Sequence, residues 1–167
     1  MRPARSPWTL AIALLLTLQG CILSSSYIGK LNRYTPEVAA AQSGDVSTVR
    51  AALDRNPKLV KYREWTRLTL LHAAVIRNQE EMATFLISRG AGVNARDERW
   101  ITPLHLAATN GNVPIIRLLL GHGAKLNPVD RSGRTPLDRA VEWEQPEAAA
   151  FLRSQGARSN AGVRPSE

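Results

Sequence analysis

Side chains with redox or nucleophilic chemistry are scarce in this sequence. Its 167 residues hold one cysteine and three histidines, and aromatic residues make up 5%. A single cysteine cannot close an internal disulfide, so a disulfide-stapled scaffold is excluded. Acidic residues are also in deficit, 14 against 22 lysines and arginines, which leaves a formal charge of +8. No glycine-rich phosphate loop is present, because every glycine except Gly20, Gly29 and Gly162 falls at a repeat or turn position. What remains is 44% apolar residues, enough to bury the core of one ordinary domain and too few residues overall for a second large one.

The first twenty residues differ from all that follow. Arg2 and Arg5 precede an apolar run from Trp8 to Leu18 that only Thr9 and Thr17 interrupt. Eleven helical residues reach roughly 16 Å, about half of a ~30 Å hydrocarbon core, so the run is a signal and not a permanent span. It ends in Leu18-Gln19-Gly20-Cys21, which resembles the bacterial lipobox, and the chain's only cysteine falls there. The resemblance implies cleavage between Gly20 and Cys21 and a diacylglycerol on the Cys21 thiol. It also implies an acylated amine, so that two or three chains give stable membrane attachment. The other reading is an ordinary secretory signal cleaved near Gly20.

Residues 1–20 are therefore expected to be a lipoprotein signal peptide, and 21–35, with Ser24 to Ser26, a lipidated cysteine and flexible tether. Fourteen extended residues span at most ~50 Å. Loss of Arg2 and Arg5 lowers the formal charge only from +8 to +6, so the basic excess belongs to the mature chain. Ile22 after the cysteine, where an aspartate would signal retention, points to the outer membrane with the domain facing the periplasm. A cell-envelope location argues against nucleic acid as a partner.

The rest repeats every 33 residues. Thr69, Thr102 and Thr135 keep that interval, as do Leu71, Leu104 and Leu137, and Gly90, Gly123 and Gly156. Ala91, Ala124 and Ala157 agree, and so do Asn94, Asn127 and Asn160. One copy reads Thr102-Pro103-Leu104-His105-Leu106-Ala107-Ala108; another is Thr69-Leu70-Leu71-His72-Ala73-Ala74; the last is Thr135-Pro136-Leu137-Asp138-Arg139-Ala140. These stretches resemble ankyrin repeats. A degenerate copy lies upstream at Val38 to Leu53, with one residue inserted between Pro57 and Trp65. The expected fold is an all-α solenoid of stacked helix-turn-helix units with finger loops. It covers residues 36–160, with repeats near 36–64, 65–98, 99–131 and 132–160 and a disordered tail at 161–167.

Helices of about ten residues are not stable alone, so each unit must bury its apolar stripe against its neighbours. Thr102 and Thr135 are placed to cap, Pro103 and Pro136 suit the first helical position, and Gly90, Gly123 and Gly156 suit a left-handed stop. Ile115, Ile116, Leu118 and Leu119 form the stripe of a second helix. One period back it reads Met82, Ala83, Phe85 and Leu86, and one forward Ala148, Ala149, Phe151 and Leu152.

A catalytic or metal site would need reactive groups that the repeat leaves unexplained. His72 and His105 occupy one repeat column, where the resemblance implies that the imidazole ties its unit to the next. His122 reads as a solvated helix end. Glu80 with Glu81 and Asp97 with Glu98 fall at positions expected to be exposed. No catalytic residue, metal site, cofactor or small-molecule substrate is implied.

The ankyrin resemblance instead implies a protein-binding module that works through finger loops near 61–68, 94–101 and 127–134. Gly133 stands at the usual finger glycine, but Trp100 and Arg67 occupy the matching positions, and Trp65 is close by. Trp65, Arg67, Arg99, Trp100, Arg131 and Arg134 are the candidate binding residues, since tryptophan and arginine dominate interface energetics. Lys61, Arg63, Arg67, Arg96, Arg99, Arg131 and Arg134 outnumber Glu64, Asp97, Glu98 and Asp130, so the expected partner is a protein with an acidic surface. The leading reading is a membrane-tethered adaptor without catalysis; the alternative is an inhibitor or immunity-type protein that blocks an envelope enzyme or toxin.

Overall fold

Short helices that cannot stand alone are paired, and the pairs are stacked. A computed structural model describes residues 36–63 and 66–160 of the chain. The signal peptide, Cys21, the tether, Trp65 and the tail at 161–167 lie outside the described residues.

Four helix pairs follow one another: α1 (Pro36–Ser43) with α2 (Val46–Arg55), α3 (Leu70–Ile76) with α4 (Glu80–Ser88), α5 (Pro103–Thr109) with α6 (Val113–Gly121), and α7 (Pro136–Glu142) with α8 (Pro146–Ser154). No strand occurs among the described residues. First helices pack in the row α1, α3, α5, α7, and second helices in the row α2, α4, α6, α8. The fold is the expected all-α solenoid.

The threonine column starts the first helices. Thr69, Thr102 and Thr135 are extended, with φ of −106°, −100° and −89°, and each backbone N–H is taken by the side chain three residues on. Pro103 and Pro136 occupy the first turn, where no donor is lost. Gly90, Gly123 and Gly156 close the second helices at φ of +86°, +82° and +85°, a backbone that other residues adopt only at a cost. The residue inserted after the first copy is absorbed in a 3-10 turn, Pro57–Lys61, headed by the Asn56 side chain.

Ala73, Ala74, Ala107, Ala108 and Ala140 are fully buried, which lets neighbouring backbones approach closely. Ile115, Ile116 and Leu119 are likewise inaccessible, as are Met82, Ala83 and Leu86 one period earlier. Removing most of one such leucine would cost about 2–5 kcal/mol. The remaining stripe column departs from the expected full burial: Phe85, Leu118 and Phe151 are only partly covered. They sit at the edge of the stripe, where arginines finish the job. Arg50 and Arg89 lie 4.8 and 5.0 Å from the Phe85 ring centre, and Arg117 lies 4.1 Å from that of Phe151.

Candidate finger-loop recognition surface

The second and third fingers are tight turns, each built around an aspartate. In the finger that precedes α5, the Asp97 carboxylate accepts the backbone N–H groups of Arg99 and Ile101, both at 2.8 Å, while Asp97 N–H bonds to the Ile101 carbonyl at 3.0 Å. The finger before α7 repeats this: Asp130 accepts from Ser132 and Arg134 at 2.7 and 3.1 Å, and its N–H bonds to the Arg134 carbonyl. Adjacent fingers are joined by backbone bonds, Glu98 N–H to Thr66 carbonyl and Arg131 N–H to Arg99 carbonyl, each 3.0 Å.

This construction corrects one expectation. Asp97 is buried, because its carboxylate turns inward to satisfy donors of its own loop. Asp130 is buried too, and Arg139 reaches it from α7. Burial alone would raise the Asp130 pKa, but the Arg139 guanidinium and the N–H groups of Arg134 and Ser132 outweigh it and hold the carboxyl below its ordinary value. With both aspartates inside, the exposed finger face is more basic than residue counting implies.

At the tips, Arg67, Trp100 and Gly133 share a left-handed backbone, with φ of +61°, +62° and +74°. Glycine takes this conformation freely; for arginine and tryptophan it costs about 1–2 kcal/mol. The tip geometry is thus kept in all three fingers although only one has the residue that suits it.

The strained backbone holds Trp100 at the surface, 43% exposed. Two guanidinium groups lie over its ring: that of Arg96 of the same finger, 5.5 Å from the ring centre, and that of Arg131 of the next, 5.9 Å away. Neither has a carboxylate within ion-pair distance among the described residues. Arg67 is exposed and also without an ion pair there. Arg99 extends outward, with its nearest carboxylate, Asp97, 3.9 Å away.

Arg134 stands apart from this set. It is turned toward α7, where it pairs with Glu142 at 2.6 Å. The structure therefore brings Arg131 together with Trp100, leaves Arg67 and Arg99 on neighbouring loops, and engages Arg134 elsewhere. Arg96 is the member that sequence reasoning counted as a finger charge and did not assign to recognition. Its signal was present, since it lies four residues before an exposed tip residue.

The buried histidines are consumed by structure. His72 Nδ1 accepts the Thr69 N–H at 3.3 Å, which leaves Nε2–H to donate to the Ile101 carbonyl of the next unit at 3.1 Å. His105 does the same with Thr102 and with the Arg134 carbonyl, both at 3.1 Å. Desolvation favours the neutral ring and lowers the His72 pKa to about 4, and that of His105 moves in the same direction for the same reason.

The last unit inverts the bond. Asp138 Oδ2 accepts the Thr135 and Asn160 N–H groups, and Oδ1 accepts the Ser159 hydroxyl. A donor faces the column here instead of a carbonyl, so a carboxylate fits where an imidazole N–H would not. His122 is exposed at the end of α6, as expected.

Comparison with known proteins follows the same periodicity. A family model described as ankyrin repeats (3 copies) matches residues 97–162, and one described as ankyrin repeats (many copies) matches residues 71–120. The chain carries an ankyrin-repeat domain. Two curated relatives are plant proteins. The E3 ubiquitin-protein ligase XBAT32 of Arabidopsis thaliana is 33% identical over 63 residues, which is 37% of this chain and 12% of the relative. The probable E3 ubiquitin-protein ligase XBOS32 of Oryza sativa subsp. japonica is 35% identical over 63 residues, 37% of this chain and 13% of the relative. The chain thus covers only a small part of either protein's length.

Ankyrin-repeat domains are in general protein-binding modules. Among the described residues no group of three or more His, Cys, Asp or Glu side chains is placed to hold a metal ion, and the buried histidines serve as caps. No helix among the described residues is long and apolar enough to cross a membrane.

Proposed function

We propose that the protein is a lipid-anchored adaptor of the bacterial cell envelope that binds a protein partner with an acidic surface through its finger loops. The observation that carries this reading is the finger face itself. Trp100 is held exposed on a strained backbone with Arg96 and Arg131 over its ring, while the two finger aspartates are turned inward. Arg67 and Arg99 extend the same basic face and Trp65 is a further candidate on the first finger, while Arg134 is engaged by Glu142. The anchor rests on the sequence around Cys21 and Ile22, which supports an outer-membrane site facing the periplasm.

Two experiments test the two halves. Fractionation with metabolic palmitate labelling should place label on the parent chain in the outer membrane, and C21S should abolish both label and attachment. Affinity capture with the lipidated chain should recover a partner that is lost when Trp65, Arg67 and Trp100 are changed to alanine while helicity is kept. Unchanged capture would remove those residues from the site.

A further inference from the structure

The charged and aromatic groups of the fingers are arranged with more specificity than a diffuse basic surface requires. Two guanidinium groups from successive fingers converge on one indole, at 5.5 and 5.9 Å from its centre, and like charges gathered in this way repel each other unless an anion joins them. The exposed carboxylate of that finger, Glu98, pairs with neither. A guanidinium seated against a ring keeps its in-plane N–H groups directed outward, the geometry that grips a carboxylate with two bonds. The indole they share retains exposed apolar area.

We propose that Arg96, Trp100 and Arg131 form a receptor for an acidic peptide segment, with one carboxylate on each arginine and an intervening apolar side chain against the indole. This rests on the finger-loop reading above and names the partner chemistry of that surface. The rest of the finger face agrees with it. Among the described residues, exposed large apolar side chains come one to a finger, Tyr62, Trp100 and Val129, and each lies within two residues of an arginine. Such interleaving suits a segment in which acidic and apolar residues alternate along its length. A bilayer surface calls for contiguous apolar area instead.

The left-handed turn at Trp100 fits the same picture. A glycine there would keep the turn without strain, as Gly133 does one finger later, but would remove the surface shared by the two arginines.

The test uses the full chain carrying C21S, which has no acylation site, and a short blocked peptide in which glutamates flank a single leucine. Titration calorimetry at low salt should show binding that R96Q and R131Q each weaken about tenfold, the loss expected for one charge-assisted contact. W100G should weaken it to a similar degree, and R67Q and R99Q less than about twofold. Replacing the peptide's glutamates with glutamine should abolish binding, and leucine to alanine should reduce it.

Equal losses at all four arginines would overturn the receptor and leave the finger surface standing as a diffuse basic face. Binding insensitive to every one of these variants would overturn both. Failure of the parent chain to bind the peptide, or equal binding of the glutamine peptide, would overturn the receptor. So would finger-dependent partitioning onto phosphatidylglycerol-containing vesicles without peptide binding, which would assign the site to lipid.

Discussion

The third and fourth helix pairs have the same backbone plan and differ at two columns. In the third, the finger tip is Trp100 and the capping residue is His105; in the fourth they are Gly133 and Asp138. The caps differ because their surroundings differ: His105 meets a carbonyl of the following unit, Asp138 meets backbone and hydroxyl donors. The tips differ with no such structural reason, since both make the same turn. A repeat column that changes with its hydrogen-bond partner is serving the fold. One that changes against its backbone preference is serving something outside the fold.

Exchanging the caps should break the comparison most severely. H105D places a carboxylate against the Arg134 carbonyl, and D138H removes acceptors from the donors to both carboxylate oxygens. Each should cost about 2–3 kcal/mol, read as a lower urea midpoint. A cost below about 1 kcal/mol in either would show that the column does not depend on matching donors to acceptors.

Acid should separate the two kinds of cap. The His72 pKa is about 4 when folded and near 6.5 when unfolded, so the unfolded chain takes up the proton first. Full stability is present above the unfolded value and is lost as pH falls from about 6.5 toward 4. Between pH 7 and pH 5 the loss from His72 should be about 2 kcal/mol, with His105 adding in the same direction. Asp138 and Asp130 are shifted down, so their stabilising contribution persists to lower pH and goes only below the ordinary carboxylate value, as pH falls through the folded one. Urea midpoints measured between pH 7 and pH 3 should therefore begin to fall in the histidine range.

Changes at the tips should be smaller. G133W imposes the left-handed backbone on tryptophan and should lower stability by about 1–2 kcal/mol. The reverse change, W100G, relieves strain but frees the unfolded chain and loses the arginine contacts, so stability should move by less than about 1 kcal/mol. Thermal unfolding of the pair checks both. A large loss in W100G would mean that the indole is a structural element of its loop.

Much of the fold was legible because one period is written in five residue columns, among them a cap at Thr102, a stop at Gly123 and a tie to the next unit at Asn94, and because an apolar stripe at Ile115, Ile116 and Leu119 runs in step with them. The edge of that stripe was not legible. Phe85 and Phe151 have the composition of core residues, and only packing reveals that arginines cover them. At the fingers, sequence identified Trp100 as misplaced for its turn but could not tell which carboxylates face water. Asp97 and Asp130 turn inward because loop N–H groups need acceptors, a matter of backbone geometry. Arg134 was drawn away by Glu142, and Arg96 gained its place through a ring contact, neither of which spacing alone encodes.

Two exposed indoles among the described residues, Trp100 on the fingers and Trp143 at the opposite end of α7, allow a direct decision about where the protein binds. The side-chain N–H resonances of both should be followed by NMR as the captured partner, or the acidic peptide, is titrated in. The account predicts a shift at Trp100 together with the Arg96 and Arg131 side chains, and a stationary Trp143. Movement of Trp143 with Trp100 unchanged would contradict it and transfer recognition to the far end of the stack.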